Sequence, residues 1–247
     1  MAEKNKKIII AGPCAIETKR QFFETLEKIY KYTDVIRCGA WKARTSPHSY
    51  SGQGEKSLEW IQEAQEKYNI CCAIEVGTEK HINLALKYKV RNFWIGARTT
   101  SNPFAVEEIS QNLKNENIEL WIKNPIFPDL KLWIGAIERF KKNKNNSIKL
   151  IHRGFFLENI RKYRNHPRWD LLEKIQEKYP NMPVICDPSH IAGKRDLIQG
   201  ICEKALEYQV DGFMIEVHHK PNEALSDAQQ QLCPKQFKNL LLNLNLK

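Results

Sequence analysis

Residues Ile70–Arg98 read ICCAIEVGTEKHINLALKYKVRNFWIGAR: an apolar run, an amphipathic stretch and a second apolar run. Seven near-continuous apolar positions (Ile70–Val76) predict a strand buried on both faces. Thr78–Tyr88 carries helical periodicity, and Val90–Arg98 is strand-like again. A strand, helix, strand unit of this length demands parallel pairing through a right-handed crossover. The same alternation extends to both ends of the chain. Further strands are expected at Lys7–Cys14, Asp34–Ala40, Ile118–Pro125, Ser147–Gly154, Pro183–His190 and Asp211–His218. Helices are expected at Lys19–Tyr32, Glu55–Tyr68, Phe104–Lys114, Asp129–Lys141, Asp170–Tyr179, Arg195–Tyr208 and Ala224–Leu244. Eight units predict an α/β fold, a single-domain (β/α)8 TIM barrel spanning residues 1–247. The alternative, a doubly wound open sheet, lacks a GxGxxG or GxxxxGK[ST] turn after any strand.

The 247 residues fit one domain, because α/β barrels reach about 200–250 residues without splitting. With 39 Lys and Arg against 29 Asp and Glu, the net charge is +10. That excess points to anionic partners. No apolar run approaches the roughly 20 residues that span a bilayer, and the first residues lack a signal peptide's apolar segment, so a cytoplasmic protein without a membrane partner is expected. Seven scattered cysteines with no CxxC spacing argue against a disulfide framework or zinc knuckle.

Barrel enzymes build their sites at the C-terminal ends of the strands. There the chain collects Cys14, Arg37, Lys42, Arg44, Glu75, Arg98, Lys123, Arg153, Asp187, His190, Glu216 and Asp227. Cations converging on one axis repel unless an anion sits among them. Arg37, Arg98 and Arg153 offer planar forks for carboxylate or phosphate, and Lys42 and Lys123 add compact charges. A pocket of this kind suits a small polyanion, whereas nucleic acid needs an extended basic stripe with stacking platforms. Cys14, His190, Glu216 and Asp227 form a second group, since the first and last strands of a closed barrel are neighbours. One thiolate, one imidazole and two carboxylates suit a divalent transition metal. Taken singly, the same residues also read as core, cap and surface.

On the segments AGPCAIET (11–18), RCGAWKARTSPHSYSGQG (37–54), WIGARTTSN (94–102), WIKNP (121–125), IHRGF (151–155), CDPSHIAGKRD (186–196) and MIEVHHKPNEALSDAQQQ (214–231), the chain resembles the 3-deoxy-D-arabino-heptulosonate 7-phosphate (DAHP) synthase family. The resemblance is to the compact subclass related to 3-deoxy-D-manno-octulosonate 8-phosphate (KDO8P) synthase. It is similar to the synthase half of fusions with chorismate mutase.

The resemblance implies condensation of phosphoenolpyruvate with erythrose 4-phosphate and water, giving DAHP and phosphate, at the entry to aromatic amino-acid biosynthesis. It implies one divalent ion of the Mn, Fe, Co or Zn class on Cys14, His190, Glu216 and Asp227. Arg37 and Lys42 match the residues for the phosphoenolpyruvate carboxylate; Arg98, Lys123 and Arg153 match those for its phosphate. Arg44 and Thr45 match the aldose phosphate site, and Lys42 is the expected proton donor. The resemblance also implies a homo-oligomer, a tetramer or a dimer.

Three departures bear on this assignment. Ala43 stands where the family usually has Pro. No Asn precedes Arg44, as KDO8P synthases have, which favours erythrose 4-phosphate over the alternative substrate arabinose 5-phosphate. Cys14 groups the chain with metal-dependent members rather than with those carrying Asn. Glu75, His152 and the cations Arg161, Lys162, Arg164 and Arg168 match no family role, and the four cations read as a solvated loop. Neither an N-terminal regulatory domain nor a C-terminal mutase domain is expected, so any feedback control would come from a partner such as a separate chorismate mutase.

Overall fold

The computed structural model describes residues 6–44, 46, 48–143, 147–159 and 162–246. Eight parallel strands close a barrel in chain order: β1 (Ile8–Gly12), β2 (Val35–Cys38), β3 (Cys71–Val76), β4 (Asn92–Ile95), β5 (Glu119–Lys123), β6 (Ser147–His152), β7 (Val184–Cys186) and β8 (Gly212–Glu216). The ring shuts where β1 meets β8, with Ile8 opposite Gly212 and Gly12 opposite Glu216.

The helices are α1 (Lys19–Ile29), α2 (Glu55–Tyr68), α3 (Glu79–Lys87), α4 (Ala97–Thr100), α5 (Pro103–Asn112), α6 (Leu130–Lys141), α7 (Trp169–Lys178), α8 (Pro188–Ala192), α9 (Ile198–Glu207) and α10 (Pro234–Asn243). Several begin at a side chain that satisfies orphan amides: Thr18 accepts from the Gln21 N–H, Thr78 from His81, Asp129 from Leu132 and Asp187 from His190.

Two apolar layers follow from the two periodicities. Between sheet and helices lie residues such as Ile36, Ile74, Phe93 and Leu150 from strands and Phe22, Leu58, Trp133 and Phe237 from helices. Inside the barrel, Ile10, Ala73, Trp94, Trp121, Ile151, Ile185 and Met214 pack as a second, separate cluster. Strand side chains alternate faces with a period of two, so the residue two positions later points into the barrel one layer higher. Applied to Ala73, Trp121, Ile151, Ile185 and Met214, that rule gives Glu75, Lys123, Arg153, Asp187 and Glu216. The apolar plug is therefore the floor on which the charged layer stands.

The strands are shorter than the apolar runs suggested, because chemistry takes over where pairing stops. Arg98 belongs to the short helix α4 and His190 to α8, neither of which periodicity foretold. The expected Arg195–Tyr208 helix begins as a 3₁₀ turn (Arg195–Leu197), and Tyr30–Tyr32 closes α1 in the same way. The largest correction is the last helix, expected from Ala224 but formed only over Pro234–Asn243. Residues 224–233 run as a loop whose Leu232 bridges to Val217, and this loop carries Asp227. Among the described residues no helix is long and apolar enough to cross a membrane.

Candidate active site

A cavity of about 490 Å³ opens at the C-terminal end of the barrel. Six cations line it, Lys42, Arg44, Arg98, Lys123, Arg153 and Arg164, against the two carboxylates Glu75 and Asp227. His190 lies on the same wall. Cys14, Glu216 and Arg37 sit behind the lining, all essentially inaccessible to solvent. Thr45 lies outside the described residues, as does Arg161.

Trp94, in the apolar plug inside the barrel, supports the charged layer. Its ring lies 5.2 Å from the Arg37 guanidinium and 5.8 Å from Lys123 Nζ, and its indole N–H donates to Glu75 Oε2 at 3.0 Å. A side chain at position 96 would collide with that carboxylate, since a Cβ there would fall 2.1 Å from Glu75 Oε1. Gly96 is thus what lets Glu75 stand in the barrel mouth. At the other wall, a Cβ on Gly39 would lie 1.8 Å from the Cys14 carbonyl oxygen, so the glycine admits the loop that delivers the thiol.

Three carboxylates partner two buried cations and one exposed one. Arg37 Nη2 is 3.1 Å from Glu216 Oε1, Lys123 Nζ is 3.0 Å from Asp187 Oδ2, and Arg164 Nη1 is 3.1 Å from Asp227 Oδ1. Burial alone would raise the Asp187 carboxyl, but His190, Lys123 and Arg37 together hold it well below the usual range. Burial pushes Lys123 below its ordinary value despite the opposing pull of Asp187. Burial likewise lowers Arg153 to about 10, with Asp187 opposing. Arg153 is held by neutral groups: its Nη1 donates to Asn165 Oδ1 at 2.7 Å, and its backbone N–H donates to Asn124 Oδ1 at 2.7 Å. Two buried donors of Arg37, Nε and Nη1, have no acceptor. Buried donors left unmatched are costly, and a bound anion would satisfy them.

Cys14, Glu216 and Asp227 present ligand atoms within 4.8 Å of one another. Cys14 Sγ lies 3.2 Å from Asp227 Oδ2 and 3.0 Å from Lys42 Nζ. His190 falls outside that group of three, but its Nε2 is 3.8 Å from Glu216 Oε1. Its Nδ1 lies 2.8 Å from Asp187 Oδ2, an orientation that leaves Nε2 turned toward the cluster. Burial lowers the His190 pKa, which keeps a lone pair available. Burial and the Glu216 charge push the Cys14 thiol up to about 12, so it stays protonated unless a cation takes the proton's place. Glu216 Oε1 is buried and, beyond its ion pair with Arg37, accepts no aligned hydrogen bond. A carboxylate oxygen without an aligned hydrogen bond, beside a thiol, an imidazole and a second carboxylate, is a donor set that fits a divalent transition metal.

The neutral residues that hold this site were not legible as functional in the sequence. Gln231 Oε1 accepts from the Cys14 N–H at 3.0 Å, Ser189 Oγ accepts from the Glu216 N–H at 2.9 Å, and Ser226 Oγ meets Cys14 Sγ at 3.0 Å. Arg44 donates to the Ser226 hydroxyl and, at 2.8 Å, to the Tyr50 carbonyl. Arg164 is exposed, as the expectation of a solvated basic loop has it, but it also lines the cavity and pairs with Asp227. The expectation holds for Arg168, which pairs with Asp170 in the first turn of α7.

A parallel barrel with a cationic cavity over a thiol and carboxylate cluster defines an enzyme of the kind that handles small, multiply charged anions. The chain belongs to the DAHP synthetase I family, whose model matches residues 1–245. It is 32% identical over 237 residues to a phospho-2-dehydro-3-deoxyheptonate aldolase of Thermotoga maritima, covering 94% of this chain and 67% of that one. The crystal structure of DAHP synthase from the same organism superposes with a TM-score of 0.87 at 30% identity, covering 98% of this chain and 69% of that one. A 2-dehydro-3-deoxyphosphooctonate aldolase of Desulfosudis oleivorans is more distant, 25% identical over 96% of this chain and 88% of its own length.

Proposed function

We propose that the chain condenses phosphoenolpyruvate with erythrose 4-phosphate and water to give DAHP and inorganic phosphate, the first step of the shikimate pathway. The observation that carries this reading is the union, in a DAHP-family barrel, of a cavity lined by six cations with the Cys14, Glu216 and Asp227 cluster at and behind its wall. In this reading Arg37 and Lys42 take the phosphoenolpyruvate carboxylate, with Nε and Nη1 of Arg37 as donors that still lack an acceptor. Arg98, Lys123 and Arg153 take the phosphate. Arg44 and Thr45 take the aldose phosphate.

Cys14, His190, Glu216 and Asp227 would hold the divalent ion, with Mn, Fe, Co and Zn as candidates. When bound it supplies Lewis-acid polarisation of the aldehyde. The remaining work falls to the chain's own groups. The cation ring brings together two anions that repel in water and fixes phosphoenolpyruvate C3 against the aldehyde carbon. As the new C–C bond forms, Lys42 Nζ donates a proton to the developing alkoxide. Water adds to the oxocarbenium carbon C2 and gives up one proton, which restores the Lys42 ammonium; the C2–O bond to phosphate then breaks, and phosphate leaves with the bridging oxygen and the remaining hydroxyl proton as C2 becomes the ketone. Lys123 and Arg153 offset the charge that accumulates on the leaving group.

The test follows phosphoenolpyruvate consumption with erythrose 4-phosphate and, separately, arabinose 5-phosphate, before and after prolonged chelation and readdition of single divalent metals. The expected result is consumption with the four-carbon aldose, lost on chelation and restored by metal. Preference for arabinose 5-phosphate would assign the chain to KDO8P synthesis. Activity indifferent to chelation would remove the ion. The chain is further proposed to act as a cytoplasmic homo-oligomer, which gel filtration with light scattering reads directly.

A further inference from the structure

We propose that Arg164 and Gln230 act as one unit that positions the two carboxylate ligands of the metal site. The proposal rests on the metal reading above. Arg164 Nη1 reaches Asp227 Oδ1 at 3.1 Å and Gln230 Oε1 at 2.7 Å. Gln230 Nε2 in turn donates to Glu216 Oε2 at 2.7 Å. One guanidinium therefore holds the outer oxygen of both carboxylates, of Asp227 directly and of Glu216 through the amide. The inner oxygens face the cluster: Asp227 Oδ2, 3.2 Å from Cys14 Sγ, and Glu216 Oε1, 3.8 Å from His190 Nε2 and also 3.1 Å from Arg37 Nη2.

A carboxylate free to rotate can bind an ion through either oxygen or both. Hydrogen bonds on the outer oxygen select a single presentation, and such outer partners tune affinity by about 10–100-fold.

The unit is itself anchored. The Arg164 N–H donates to the Ala192 carbonyl at 3.3 Å and the Asn165 N–H to Ile191 at 3.2 Å, which ties this loop to α8 and hence to His190. Gly193 permits the approach, because a Cβ there would fall 2.5 Å from Arg164 Cβ. Asp227 adopts a left-handed backbone (φ +50°), costly for a residue with a side chain, so the surrounding contacts must hold it there. Arg195 contributes by donating from Nε to the Gln231 carbonyl at 2.7 Å.

The simpler alternative is that Arg164 only neutralises a nearby acidic cluster. The two accounts predict opposite signs. If Arg164 acts by charge alone, removing a cation beside the site tightens divalent binding, and removing the neutral Gln230 changes nothing. If the pair positions ligands, both losses weaken binding.

The experiment titrates metal-free protein with Co²⁺ and reads the thiolate-to-cobalt charge-transfer band, which needs no substrate. Arg164→Met and Gln230→Leu are each expected to weaken Co²⁺ binding by about 10–100-fold. The double variant is expected to lose no more than the weaker-binding single, as members of one unit do. Tighter binding in Arg164→Met, or wild-type affinity in Gln230→Leu, overturns the proposal. Circular dichroism checks folding. If Arg164→Met fails that check, Arg164→Lys, which keeps the charge but shortens and re-aims the donor, replaces it and is expected to bind Co²⁺ more weakly than wild type. Wild-type protein without a charge-transfer band overturns the metal reading and this proposal with it.

Discussion

Replacing Asp187 by Asn tests whether buried charge pairing organises the cavity. The carboxylate is inaccessible to solvent and stands between Lys123 Nζ at 3.0 Å and His190 Nδ1 at 2.8 Å, while Oδ1 caps α8 through the His190 N–H. Asn keeps the shape and the cap, so the change removes mainly the charge. Breaking a buried ion pair by removing one partner costs about 3–5 kcal/mol. For a chain of this length a loss near 3 kcal/mol lowers Tm by roughly 6–12 °C.

The sign of the pH dependence is the stricter test. Burial already depresses Lys123, and without Asp187 its folded-state pKa falls further below the unfolded value near 10.4. The folded variant then binds fewer protons than the unfolded chain, so its stability rises with pH by up to about 1.4 kcal/mol per unit until the unfolded pKa is reached. Urea denaturation of both proteins at about pH 7 and about pH 9.5 should show the deficit shrinking at the higher pH. A deficit equal at both values would refute the reasoning, because the lost stability would not involve the Lys123 charge.

Lys42→Met should lower kcat by about 10²–10⁴-fold if the ammonium is the proton donor, and unchanged turnover in steady-state assays would exclude that role. Gly39→Ala should abolish divalent binding or lower Tm strongly, since the added methyl meets the Cys14 carbonyl at 1.8 Å; calorimetry with and without metal distinguishes the two outcomes. His152 is buried among Phe155 and Trp169, and burial lowers it to about 3 from an ordinary value near 6.5. The stability it contributes is present above about pH 6.5 and is lost as pH falls toward about 3. His152→Leu should flatten the acid limb of the stability profile in that window, and an unaltered limb would sink the assignment.

The fold was legible because both periodicities are clean: the alternation that puts Trp121 and Lys123 on one face, or Met214 and Glu216, is written in the residues themselves. The site was legible wherever a charge follows an inward-facing apolar residue by two positions, as Arg37, Lys123, Arg153 and Glu216 do. Position 227 was harder. Residues 224–233 have the composition of an amphipathic helix start, and what keeps them from forming one is tertiary: the Leu232 bridge to Val217, the Arg195 hydrogen bond and the left-handed Asp227 backbone. The place of Arg164 at the cavity was hidden for the same reason. Its partners Asp227 and Gln230 are more than 60 residues away, and no local pattern announces a pair closed by the barrel. Gln230, Gln231, Ser226 and Asn165 carry no titratable group, so residue type alone cannot single them out.

The +10 charge of the chain acquires meaning from where it lacks acidic partners. Within the cavity region Glu216 pairs with Arg37, Asp187 with Lys123 and Asp227 with Arg164. Lys42, Arg44 and Arg153 instead make hydrogen bonds to a thiol, a hydroxyl, carbonyls and an amide. Those neutral acceptors can be exchanged for anionic oxygens at a gain, since a charge-assisted hydrogen bond is roughly twice as strong as a neutral one. The paired cations serve as framework, and the cations held by neutral groups are the ones a phosphate or carboxylate can recruit. Specificity for a doubly anionic substrate pair thus lies in which cations the fold pairs with a carboxylate, and in which it leaves to neutral acceptors.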